Sequence, residues 1–206
     1  MKTAAIISAM ILLAAMQRPA PPDSRPVIAA FGDSLTAGYN VQRGFGYPER
    51  LQRKLNALGY KYRVVNLGVN GDTTAGGRAR MRAALAEKPS IVILELGAND
   101  GLRGLPVTAM QNNLEEMIKA FQKAGAKVVL AGMTLPKNYG AVYVRLFENV
   151  FLDLAQKHGL PLIPFLLEGV AGNPKYTLDD FLHPNADGYV LVTDIVMKTL
   201  QPLLKK

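Results

Sequence analysis

The chain contains no cysteine and no tryptophan, and only two histidines, His158 and His183. Without cysteine there are no disulfides, thiolate zinc sites, iron–sulfur clusters or cysteine nucleophile. Two histidines do not make a multi-histidine metal site. Aromatic residues are 7% of the chain. The cations are scattered, densest at Arg78, Arg80 and Arg82, which reads as a solvated helix face rather than a nucleic-acid surface. What is abundant is apolar: 49% of 206 residues, one medium domain's worth, with a formal charge of +8.

The N-terminus stands apart. Lys2 precedes an apolar run from Ala4 to Met16, broken only by Ser8, and then come Gln17, Arg18 and a proline-rich stretch to Pro26. A short basic start, a short apolar segment and a breaker form a secretory signal pattern. The run is too short for a comfortable membrane span. Residues 1–20 are therefore expected to be a signal segment, with Ala14, Ala15 and Ala20 as candidate cleavage positions, and 21–206 a single domain. Loss of 1–20 removes Lys2 and Arg18 and no acid, which lowers the charge from +8 to +6. The expected setting is periplasmic or secreted.

From Val27 onward, strand-like and helix-like stretches alternate. Val27–Phe31, Tyr62–Leu67, Ile91–Leu96, Val128–Ala131 and Leu162–Phe165 read as five strands, several of them continuous apolar runs as parallel strands covered on both faces should be. Helices are predicted over Tyr47–Leu58, Thr73–Glu87, Val107–Lys123, Asn138–His158 and Asn185–Leu200. This rhythm predicts an α/β fold, a three-layer α/β/α architecture around a central five-stranded parallel sheet, in which ligands bind outside the carboxyl ends of the strands.

Four polar motifs follow strand ends or lie near the C-terminus: Gly32-Asp33-Ser34-Leu35, Gly68 to Thr73, Gly97-Ala98-Asn99-Asp100-Gly101 and Asp180-Phe181-Leu182-His183. Taken singly each has a plain structural explanation, such as a helix cap at Ser34, a tight turn at Asn99–Gly101 and a surface pair at Asp180 and His183. Asp33 reads as a turn residue without chemistry, and His158 as a cation at a helix C-terminus. Convergence of all four at one sheet edge points instead to acyl transfer by a serine. That chemistry needs a hydroxyl nucleophile, a base, a carboxylate to orient the base, and donors for the oxyanion. Ser34, His183 and Asp180 fit the first three roles. The Ser34 N–H, the Gly71 N–H and the Asn99 side-chain amide are the candidate donors.

These four ordered blocks resemble the GDSL or SGNH hydrolase family, over essentially residues 27–200. The resemblance implies a flavodoxin-like SGNH hydrolase fold, Ser34 as nucleophile, Gly71 and Asn99 as oxyanion donors, and the Asp180–His183 pair. The stretches Gly71–Thr74, Asn99–Gly104 and Leu135–Gly140 are most like the periplasmic thioesterase, lysophospholipase and arylesterase branch. Members of that branch hydrolyse thioesters and oxygen esters without a metal or organic cofactor. The expected partner is thus a small acyl ester or thioester, with no nucleic acid, no membrane span in the mature form and a monomeric state. Leu102, Leu105, Pro136 and Tyr139 are candidate substrate contacts, with Met133–Pro136 and Phe165–Leu167 as further wall. Gly101 and Gly104 suggest a mobile rim. A carbohydrate O-deacetylase of the same family is the alternative, and a non-catalytic anion-binding module leaves Asp180 and His183 unexplained.

Overall fold

The computed structural model describes residues 23–206, so the signal segment expected at 1–20 lies outside the described residues. Five parallel strands form one sheet: β1 (Val27–Gly32), β2 (Arg63–Gly68), β3 (Ile91–Glu95), β4 (Lys127–Ala131) and β5 (Leu162–Ile163). Their order is β2-β1-β3-β4-β5, so the chain moves outward one way from β1 and then reverses. This is the flavodoxin-like order, whose reversal point lies between β1 and β3. Every residue of β1 and β3 is buried, which explains why their sequences are apolar without alternation.

Among the described residues seven helices flank the sheet: α1 (Ser34–Ala37), α2 (Tyr47–Ala57), α3 (Thr74–Ala86), α4 (Ala98–Leu102), α5 (Val107–Lys123), α6 (Ala141–His158) and α7 (Gly188–Leu200). α2 packs against α7, while α3, α5 and α6 lie side by side. The apolar stripe of α5, comprising Met110, Leu114, Met117, Ile118 and Phe121, recurs at three- and four-residue spacing and is fully turned inward. Phe31 of β1 meets Phe121 edge to face at 5.7 Å between centroids.

Three expectations needed adjustment, each for a local reason. The helix expected from Asn138 begins at Ala141, because Gly140 adopts φ +87°, outside the helical region, and residues 137–139 form a separate 3-10 turn. The last strand is only Leu162–Ile163, because the Gly132 carbonyl accepts from the Leu166 N–H instead of from Phe165, which breaks the ladder's register there. α7 starts at Gly188, with the Asn185 side chain accepting from the Asp187 and Gly188 N–H groups just ahead of it. Arg78 and Arg82 are exposed as expected, but Arg80 is not part of that solvated face. Its guanidinium lies 4.1 Å from the Phe31 ring centroid, pairs with Asp72, and donates to the carbonyls of Leu67 and Gly32. One cation therefore ties the carboxyl ends of β1 and β2 to the loop that enters α3.

Gly32 ends β1 between two crowded neighbours. A Cβ there would collide with the Thr36 hydroxyl and with the carboxylate and carbonyl oxygens of Glu95. Replacing Gly32 with Ala is expected to lower unfolding free energy by about 1–3 kcal/mol through overpacking. A urea titration checks this; an unchanged midpoint would mean that α1 can lift away from β3 freely.

Candidate active site

The polar motifs meet at the carboxyl edge of the sheet. β1 and β3 are paired so that Gly32 lies beside Glu95, and β1 and β2 so that Gly32 lies beside Gly68. The segments that follow these strand ends carry Ser34, Asn99 and Gly71. Asp33 caps α1, its Oδ1 accepting from the Leu35 N–H at 3.0 Å, and so sets Ser34 at the first helical position. The first N–H groups of a helix have no intrahelical acceptor, and neither the Ser34 nor the Gly71 N–H is paired with an acceptor among the described residues.

The Asp180–His183 segment reaches this edge from the far end of the chain. The Ser34 hydroxyl stands 2.9 Å from His183 Nε2, and His183 Nδ1 stands 2.6 Å from Asp180 Oδ2. Asp180 Oδ1 accepts from the N–H groups of both Leu182 and His183. Burial pushes the Asp180 carboxyl up, but these N–H donors and the His183 ring outweigh it and hold it below its ordinary value. The loop is stapled by backbone bonds from Leu178 to the His183 carbonyl and from Gly172 to the Phe181 carbonyl. Tyr39 covers the imidazole, with ring centroids 4.6 Å apart.

Asn99 is held at both ends of its amide. Nδ2 donates to Asp33 Oδ2 at 3.0 Å, and Oδ1 lies 3.5 Å from the Arg103 guanidinium. The same Arg103 nitrogen donates to the Gly71 carbonyl at 2.8 Å. Gly71 has φ +73°, a left-handed conformation that a side chain rarely adopts, and its carbonyl is fixed by that contact. Asp33 and Arg103 are thus the residues that reading the sequence missed. Asp33 was legible only as a turn residue, because its partner Asn99 is 66 positions away.

Beside Ser34 opens a cavity of about 450 Å³ with predominantly apolar walls from Leu102, Met133, Leu135, Pro136, Phe165 and Leu167, within the range of small-molecule sites. Asp33, Ser34, Asn99 and His183 border it. Leu102 and Pro136 stand where the sequence placed them. Leu105 and Tyr139 do not line it. Leu105 is 37% exposed, and Tyr139 turns its hydroxyl to the Leu102 carbonyl at 2.9 Å. The Tyr143 hydroxyl reaches the carbonyls of Gly101 and Leu105, so two tyrosines hang the loop expected to be a mobile rim. Gly71 also lies outside the cavity wall. Among the described residues, no group of three or more His, Asp or Glu side chains is placed to hold a metal ion, and no helix is long and apolar enough to cross a membrane.

A parallel α/β/α sheet with a serine, histidine and aspartate relay at its carboxyl edge defines a class of ester hydrolase. The GDSL-like lipase/acylhydrolase family matches residues 30–191, and the chain belongs to that family. Over 174 residues it is 43% identical to esterase TesA of Pseudomonas aeruginosa, covering 84% of this chain and 87% of the relative. It is 37% identical to thioesterase 1/protease 1/lysophospholipase L1 of Escherichia coli, covering 84% of this chain and 82% of the relative. A crystal structure of TesA superposes with a TM-score of 0.84 at 42% identity, covering 86% of this chain and 99% of that one. The chain is a serine esterase.

The depressed Asp180 carboxyl has a consequence for stability. Its contribution is present above its ordinary value near pH 4 and is lost as the pH falls through the lower folded value. The urea-midpoint difference between wild type and Asp180→Asn is expected to shrink from pH 5 towards pH 2.5, where the carboxylate is protonated. A difference that grows over that range would contradict the assignment.

Proposed function

We propose that Ser34 is the nucleophile, His183 the general base and acid, and Asp180 the carboxylate that orients it. With Nδ1–H donating to Asp180, the Nε2 lone pair faces the Ser34 hydroxyl and takes its proton as Oγ attacks the acyl carbonyl. Asp180 stabilises the imidazolium that forms. The Ser34 N–H, the Gly71 N–H and the Asn99 amide hold the oxyanion. His183 then protonates the departing alcohol or thiol, and water activated by the same imidazole releases the acid from Ser34. The observation that carries this reading is the unbroken relay of 2.9 Å and 2.6 Å contacts bordering an apolar cavity.

The substrate is an oxygen ester or thioester whose acyl chain enters that cavity. Walls of Leu, Met, Pro and Phe favour a multi-carbon chain over acetyl, which weighs against the carbohydrate deacetylase reading. Residues 1–20 act as a secretory signal, and the enzyme works outside the cytoplasm as the single domain 21–206, in the periplasm or beyond it. The basic start and apolar run of that segment support this.

A fluorophosphonate probe should label the wild type once and Ser34→Ala not at all. Ser34→Ala should lose nearly all esterase turnover while unfolding as the wild type does; a folded Ser34→Ala protein with normal turnover would sink the assignment. Asn99→Ala should lower kcat by ~10²–10³, and a change confined to KM would contradict its role as a donor. Across p-nitrophenyl esters from acetyl to dodecanoyl, Ala171→Phe should shift the preferred chain to a shorter one, because Ala171 borders the cavity. An unmoved profile would place the acyl chain elsewhere.

A further inference from the structure

Two acidic side chains lie beneath the nucleophile and take no part in the relay. Asp33 is 1% exposed and Glu95 is fully buried. Neither carboxylate forms a salt bridge with a lysine or arginine among the described residues. Glu95 Oε2 accepts from the Asp33 N–H at 3.1 Å and from the Thr36 hydroxyl at 2.8 Å. Glu95 Oε1 is buried without a hydrogen-bond partner. Asp33 divides its oxygens between the Leu35 N–H and Asn99 Nδ2. The other ionisable groups acting on this pair are the His183 imidazole and the hydroxyls of Tyr47 and Tyr189, both tyrosines fully buried.

We propose that Asp33 and Glu95 form a buried acid pair that positions the Asn99 amide for the oxyanion, Asp33 by direct contact and Glu95 by holding Asp33. This rests on the reading of Asn99 as an oxyanion donor. An amide NH2 group is planar, with its two N–H bonds at a fixed angle. Committing one N–H to Asp33 Oδ2, in a residue whose side chain is held by the Leu35 N–H and whose own backbone N–H is held by Glu95, sets the direction of the other. The Arg103 contact at Asn99 Oδ1 selects the same orientation of the amide.

Two buried like charges without a cation are costly, and one proton on the pair removes most of that cost. Burial, reinforced by the neighbouring Asp33 charge, pushes Glu95 well above the usual carboxyl range, and burial pushes Asp33 up to about 6. Both shifts favour a single proton on the pair, carried by Glu95, with the charge on Asp33. Asp33 is a positioning residue in this scheme. It touches Asn99, not the reacting carbonyl.

The test is a double-mutant cycle on the full chain, reading kcat and KM with p-nitrophenyl butyrate. Serine at position 33 can still cap α1 but is too short to reach Asn99. Asp33→Ser should lower kcat by ~10–100-fold, the cost of a misdirected catalytic group, with KM changed less than twofold. Asp33→Ser/Asn99→Ala should be no slower than Asn99→Ala alone, because the first residue acts through the second. Glu95→Gln offers the same donor and acceptor as a protonated glutamic acid, and should keep at least a third of the wild-type kcat. Losses that multiply in the double mutant, or an Asp33→Ser kcat within twofold of wild type, overturn the proposal. Should Asp33→Ser not fold, Asp33→Asn replaces it in the cycle under the same criterion of non-additivity. A Glu95→Gln enzyme as slow as Asp33→Ser overturns the one-proton pair. An unimpaired Asn99→Ala enzyme overturns the oxyanion reading itself, a result separable from all the others.

Discussion

The register of three parallel strands is the constraint on which the site depends. Gly32 at the end of β1 lies beside Gly68 of β2 and Glu95 of β3, so the three strands finish at one level. Parallel strands connected through helices all deliver their carboxyl ends to the same edge. The segments that leave those ends are separated by tens of residues in sequence and yet arrive together with Ser34, Gly71 and Asn99. The crowding at Gly32 is the packing expression of that convergence. The space where a side chain would stand is filled by the Glu95 carboxyl and the Thr36 hydroxyl, which lets α1 turn directly over the end of β3.

Polar contacts then hold that edge in place. Arg80 donates to the Gly32 carbonyl at the end of β1 and the Leu67 carbonyl one residue before the end of β2, while pairing with Asp72. Arg103 links the Gly71 carbonyl to the Asn99 amide. The Arg80 guanidinium uses three nitrogens at fixed angles, which a single ammonium does not offer, whereas Arg103 serves both partners from one. Asp100, next to Asn99, is buried and receives the Thr74 N–H and hydroxyl, so α4 is fastened to the start of α3. Buried polar groups of this kind stabilise only when satisfied. Among the described residues nearly all are, and the unpaired oxygen of Glu95 is an exception that stands beside the loop carrying Ser34.

Much of this was legible in the sequence because it is periodic or local. The five strands and the longer helices follow from apolar spacing, and Val107–Lys123 matches α5 end to end. Ser34, Asn99, Asp180 and His183 sit on short motifs that have plain structural explanations singly and were legible only as an ordered set. What escaped was set by contacts across the fold. α1 and α4 are too short for periodicity to register. Arg80 shares a three-arginine run with Arg78 and Arg82, and only its partners Asp72 and the Leu67 and Gly32 carbonyls turn it inward. Leu105 and Tyr139 lie in stretches that do border the cavity, but the tyrosine hydroxyl is drawn to the Leu102 carbonyl and the leucine is left at the surface. One side chain in a loop can face either way, and the backbone partner that decides is distant in sequence.

The site thus divides its labour between two kinds of support. The proposed oxyanion donors stand on the sheet edge, where strand pairing and buried side chains leave little freedom, whereas the proposed base and its carboxylate come on one loop. Keeping Asp180 and His183 three residues apart makes their mutual geometry a local property of a turn, independent of how the loop docks. Phe181 at φ +58° is the cost of closing that turn, of order 1–3 kcal/mol for a side chain in this region. Backbone bonds at Gly172, Leu178 and Phe181 and the Asn185 side chain hold the turn closed. Docking then has one requirement, that His183 Nε2 meet the Ser34 hydroxyl. The Tyr189 hydroxyl donating to the Leu35 carbonyl ties α7, the helix that follows this loop, to the helix that carries Ser34. Two preformed halves thus meet at the Ser34–His183 contact, and Tyr39 against the imidazole and Tyr189 on the Leu35 carbonyl fasten one half to the other.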